Sequence, residues 1–89
     1  MRAVVTVIGR DMVGIMAGVS SICAESHVNI TEISQSIIQD MFCMIMMIDI
    51  SNSHVPFSDL REKLEAYGAE SNLSVHVMHE DIFNSMHRI

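Results

Sequence analysis

The chain has 89 residues, 49% of them hydrophobic, and five basic against eleven acidic side chains for a net charge of −6. That length holds one domain, residues 1–89, and the apolar content excludes intrinsic disorder. Nucleic acid and anionic membrane surfaces are excluded as partners, because both need clustered Lys and Arg.

No apolar run approaches the ~18 residues of a membrane-spanning helix. Met1 to Val5 lacks the long apolar segment and small-residue cleavage site of a secretory signal, so a cytoplasmic domain is expected. Cys23 and Cys43 lie in apolar stretches, outside any CxxC spacing. They are expected to be buried free thiols.

Arg2 to Ile8 is short and valine-rich, and apolar at both odd and even positions. It predicts a strand buried on both faces, hence central in its sheet. Gly9 to Gly14 predicts a turn, with Asp11 as the cap of a helix running from Val13 to about Ser26. Ile15, Val19, Ile22 and Cys23 form its apolar stripe, and the small Ala17 and Gly18 suit close packing on a sheet. Val28 to Gln39 alternates, but its phase slips near Thr31-Glu32, which predicts a bulged strand. Its polar Glu32, Ser34, Gln35 and Ser36 suit an edge.

Gln39-Asp40 predicts a two-residue hairpin turn into Met41–Ile50, a second strand apolar on both faces. After a loop from Ser51 to Pro56, the stripe of Phe57, Leu60, Leu64 and Tyr67 predicts a second helix, stopped by Gly68. Leu73 to His79 alternates as a last strand, and a helical tail is expected from Asp81 to His87.

The order β-α-β-β-α-β predicts a ferredoxin-like α+β sandwich: a four-stranded antiparallel sheet with two helices on one face. Right-handed crossovers place the first and third strands in the middle and the second and fourth at the edges. The two runs apolar on both faces are the first and third, as that topology requires. One face of the sheet then lacks a helical cover. Phe42, Met44, Met46 and Ile48 occupy one side of the third strand, and Met41, Cys43, Ile45 and Met47 the other. Whichever set faces away from the helices is large and apolar, which points to a homodimer. The alternative is that Ile82, Phe83 and Met86 of the tail fold over that face.

The strand–Gly9–Gly14–helix junction presents free backbone amides at the positive end of a helix dipole. It could hold a carboxylate, with Asp11 or nearby carbonyls taking an ammonium group; the same spacing also fits an ordinary tight turn. No metal site is expected. His76 and His79 are three apart on a strand and so face opposite ways, and Met41–Met47 coincides with a strand. No catalytic site is expected, since Ser20, Ser21, Cys23 and the five histidines stand in no nucleophile context. Glu62 and Glu65 lie on a solvated helix face.

Ile8-Gly9-Arg10-Asp11-Met12-Val13-Gly14-Ile15 closing the first strand, with Val28-Asn29-Ile30 opening the second, resembles an ACT domain. The resemblance covers essentially the whole chain. It extends to stand-alone single-ACT proteins and to one half of the tandem-ACT regulator of the glycine cleavage system. It implies a regulatory module for an amino acid or related metabolite, with no cofactor, no enzymatic activity of its own, and an effector protein acting in trans. It also implies a ligand site at an interface between two domains. There an acidic or amide loop residue, a glycine and a strand-opening asparagine correspond to Asp11, Gly14 and Asn29. Met12, Val13, Ile15 and Ile30 flank them, and amino-acid-binding members often carry asparagine where this chain has Asp11. A dimerisation module without a small-molecule ligand is the alternative function.

Overall fold

The computed structural model describes residues 1–10 and 14–86. Its elements are β1 (Arg2–Arg10), α1 (Ile15–Glu25), β2 (Asn29–Ile38), β3 (Met41–Asp49), α2 (Phe57–Glu70), β4 (Ser74–His79) and α3 (Glu80–Met86). The strands form one antiparallel sheet in the order β2-β3-β1-β4. This is the ferredoxin-like βαββαβ arrangement with a short helix appended. The molecule measures 36 × 34 × 20 Å. The thin dimension matches one helical layer packed about 10 Å from a sheet.

Register decides what each strand buries. Val5 lies opposite Met46 and Val77, and Val7 opposite Met44 and Val75. With Ala3 and Ile48 these side chains meet Ile15, Val19 and Cys23 of α1 and Leu60 and Leu64 of α2 in a single core. The even-numbered set of β3 therefore faces the helices, and Met41, Cys43, Ile45 and Met47 face away. The β2 register slips between Ile30 and Glu32, where the phase of the sequence slips. The turn at Gln39-Asp40 forms as expected, with Gln39 at φ 58.

Both long helices end in the same motif. In α1, Ser26 is the C-cap, His27 adopts φ 58, and the Val28 N–H donates to the Cys23 carbonyl at 2.9 Å. In α2, Ser71 is the C-cap, Asn72 adopts φ 59, and the Leu73 N–H donates to the Gly68 carbonyl at 2.8 Å. These are Schellman closures in which His and Asn hold the left-handed position that glycine usually takes. Gly68 therefore does not stop its helix. It lies buried inside it, where a Cβ would meet Val75 Cγ2 at 2.5 Å and the Leu73 carbonyl at 3.1 Å. The residue keeps β4 close rather than ending α2. Gly18 likewise makes room for the Tyr67 ring of α2 rather than for the sheet, and Ala17 is exposed.

The tail takes a course between the two expectations. The Arg2 guanidinium pairs with Glu80 at 2.5 Å, which ties the first turn of α3 to β1. Val4, on the face away from α1 and α2, is fully buried, and α3 packs on β1 and β4. Ile8, Met41 and Ile45 on the same face stay exposed. The tail thus covers one end of the face. The Met86 side chain and His87 lie outside the described residues.

Gly68→Ala gains about 1 kcal/mol of helix propensity but overpacks the α2–β4 contact by about 1–3 kcal/mol. A net loss is expected, read as a lower melting temperature. Ser26 is 1% exposed, and its hydroxyl has no partner among the described residues. Ser26→Ala removes that orphan and is expected to raise stability by about 1 kcal/mol in urea titration.

Candidate functional site

The junction after β1 is built from close approaches. A Cβ at Gly9 would meet the Leu73 Cδ2 methyl, so any larger residue here needs the Leu73 side chain to move. Arg10 follows, exposed, with its guanidinium on the Asp40 carboxylate at 2.8 Å. A pair this open to water contributes at most about 1 kcal/mol, but it sets the hairpin tip beside the junction. Asp11, Met12 and Val13 lie outside the described residues.

Gly14, not Asp11, occupies the cap position of α1, at φ 90 and ψ 0. Its carbonyl accepts the Gly18 N–H at 2.9 Å, the first bond of the helix. No side chain caps α1 among the described residues, and its first turn carries no acidic residue. The amides of Ile15, Met16 and Ala17 lie in the first turn, at the positive end of the helix dipole. Among the described residues nothing lies within 4 Å of where a Gly14 Cβ would stand. Left-handed backbone therefore explains this glycine, in place of the first-turn position expected for it.

Ile15 is buried at 3% exposure in the core, so it anchors the helix start and does not line an open site. Asn29 is exposed at the opening of β2, opposite Asp49. The Ser51 hydroxyl and then its N–H, at 2.9 Å, hold the Asp49 carboxyl below the usual carboxylate range. Ile30 packs half-buried against the core.

These residues divide into two groups. Arg10 is registered with Met41, and Met41 with Ile38; Arg2 is registered with Asp49, and Asp49 with Asn29. Gly14 and Asn29 therefore sit at opposite ends of the sheet, separated by the length of α1, whose 11 residues span roughly 16 Å. One protomer does not bring them together.

A second concavity lies on the sheet face away from α1 and α2. It encloses ≈ 460 Å³ and is lined by Thr6, Ile8, Cys43, Ile45, His76 and Phe83 among others. Sequence reasoning passed over Thr6 and weighed His76 only as a metal ligand. The available signal was Thr6 itself, a polar side chain inside a valine run. Among the described residues no group of three or more His, Cys, Asp or Glu is placed to hold a metal ion. His79 stacks on Phe57 of α2 at 4.2 Å, on the opposite side of the sheet from His76.

The family model for the ACT domain matches residues 2–78. The chain belongs to the ACT domain family. It is 52% identical to the UPF0237 protein of Methanocaldococcus jannaschii over 88 residues, covering 99% of this chain and 98% of that one. It is 53% identical to the UPF0237 protein of Clostridium perfringens over 89 residues, covering all of both chains. The ACT domain protein from Streptococcus pneumoniae shares the fold with a TM-score of 0.79 at 37% identity, over 93% of each chain. A structure assigned to a glycine cleavage system transcriptional repressor superposes with a TM-score of 0.72 at 22% identity, over 85% of this chain and 43% of that one. The regulatory subunit of aspartate kinase from Thermus thermophilus does so at 0.65 and 24%, over 85% and 49%. No helix among the described residues of this ACT domain is long and apolar enough to cross a membrane.

With open space around Gly14, its replacement isolates the backbone cost. Gly14→Ala is expected to lose about 1–2 kcal/mol and Gly14→Asn distinctly less, because Asn tolerates the left-handed region. Chemical denaturation of both variants checks this, and equal losses would contradict it.

Proposed function

We propose that this ACT domain is a non-catalytic regulatory module. It binds a small amino acid or related metabolite at a seam between two copies, and a separate effector protein reads the result. The observation that carries the reading is the split site: Gly14 and the start of α1 at one end of the sheet, Asn29 at the other. Strand β2 is the outer strand beside β3, and every residue from Thr31 to Ile38 is exposed. Its Ile33, Ile37 and Ile38 are large apolar side chains in water. A bare edge of this kind is a template for pairing with another strand.

Two β2 strands paired antiparallel about a two-fold axis set Asn29 of one copy beside Ile38 of the other. Ile38 stands at the sheet end that carries Arg10 and the start of α1. The two half-sites then share one end of a continuous eight-stranded sheet. In that setting the α1 amides and Arg10 suit a carboxylate. Asn29 and the acidic loop residue Asp11 suit an ammonium group. A ligand touching both copies favours one arrangement of the dimer by its differential affinity for the two, and no more.

A thermal-shift screen against the twenty amino acids tests this. A ligand at 100 times its Kd adds about 2.7 kcal/mol, or roughly 10–20 °C for a domain this size. The shift is expected for at least one amino acid and is expected to vanish in Asn29→Ala. Ile37→Lys is expected to give a monomer by light scattering and to lose the same shift. A dimer that responds to no amino acid identifies an assembly module instead.

A further inference from the structure

The depression on the uncovered sheet face has features of a small-molecule site that the seam between copies does not use. Its floor is set by register. Thr6 lies directly opposite Ile45 on one side and His76 on the other, and the next row is Cys43 opposite Ile8. The row beyond, Val4 between Met47 and Met78, lies toward α3, whose Phe83 joins the lining. The result is a concavity of ≈ 460 Å³. That volume falls within the roughly 300–1,000 Å³ of small-molecule sites.

Its chemistry is selective. Among the described residues no Asp, Glu, Lys or Arg lines it. A zwitterion or an anion would lose its hydration there and gain no charged partner, which disfavours both. Two polar side chains stand at the centre of the floor as cross-strand neighbours, the Thr6 hydroxyl and the His76 imidazole. Among the described residues neither has a hydrogen-bond or ion-pair partner. Around them are aliphatic side chains, an aromatic ring and two sulfur atoms, from Cys43 and Met78. Sulfur favours the edge and face of an aromatic ring.

We propose that this depression is a second binding site, for an uncharged aromatic molecule with one hydrogen-bonding group, of the indole or phenol class. Its ring lies on Ile8, Ile45 and Met78, and its polar group meets Thr6 and His76. The site is independent of the amino-acid seam, so either can fail without the other.

The two cysteines supply the assay. Cys23 is buried, and burial pushes its thiol up from the ordinary value. Cys43 is half-buried in the depression. Iodoacetamide should therefore alkylate Cys43 first, as followed by intact mass. With indole at ten times its Kd, the rate at Cys43 is expected to fall roughly tenfold. Without indole the rate is expected to stay constant across protein concentration. The pair of changes Thr6→Val and His76→Leu is expected to weaken indole binding about threefold to tenfold, the worth of one hydrogen bond. Circular dichroism and the amino-acid thermal shift should stay unchanged. No protection by indole or phenol at millimolar concentration would overturn the proposal. So would protection that grows with protein concentration alone, which would make the face a contact between copies.

Discussion

One helical layer covers one side of one four-stranded sheet, and the rest of this molecule follows from what that leaves unfinished. A chain of 89 residues has only α1 and α2 long enough to cover a sheet, and both crossovers place them on the same side. The opposite face and the β2 edge must then be dealt with by other means. The short α3 covers one end of the face, fixed by the Arg2–Glu80 pair. The β2 edge is left with three large apolar side chains in water. The core itself is complete, because the odd positions of β1 and β4 and the even positions of β3 all meet the helices.

The same topology divides the recognition elements. A βα junction must lie at the end of β1, and the αβ connection that follows must return to the other end of the sheet. Gly14 and Asn29 are the two termini of that excursion, with α1 as the strut between them. No adjustment of side chains within one copy shortens the strut. An antiparallel edge pairing does shorten the distance between half-sites, because it sets the beginning of one β2 against the end of another. In the proposed dimer, joining the two half-sites is thus a role for self-association distinct from covering apolar surface.

Patterns of period two carried most of the fold in legible form. Continuous apolar runs marked β1 and β3 as central, and the slipped phase near Thr31-Glu32 marked the β2 bulge where the register shifts. What stayed illegible depended on contacts between elements. Gly68 reads as a helix stop in sequence, yet Asn72 supplies the left-handed residue and Gly68 admits Val75. Gly18 reads as a contact with the sheet, yet its neighbour is Tyr67 of the other helix. Gly14 reads as a first-turn residue, yet its φ of 90 makes it the cap. In each case glycine announces that something is unusual and does not say which neighbour or torsion requires it. The two halves of the candidate site were legible as residue types, but their separation was not. It appears only when Arg10 is traced through Met41 to Ile38, and Arg2 through Asp49 to Asn29.

Charge separates the two proposed surfaces more sharply than shape does. The seam end of the sheet has a cation at Arg10, the positive terminus of α1 and the amide of Asn29, groups suited to a molecule bearing full charges. The depression on the open face has one hydroxyl, one imidazole and one thiol among aliphatic and aromatic side chains, with no formal charge in its lining among the described residues. On the proposed reading a zwitterion finds charged partners at the first surface and loses its hydration at the second, whereas a neutral ring finds apolar contact at the second and little at the first. Both surfaces are strung along β1, one beyond its last residue and one around Thr6 and Ile8 at its middle.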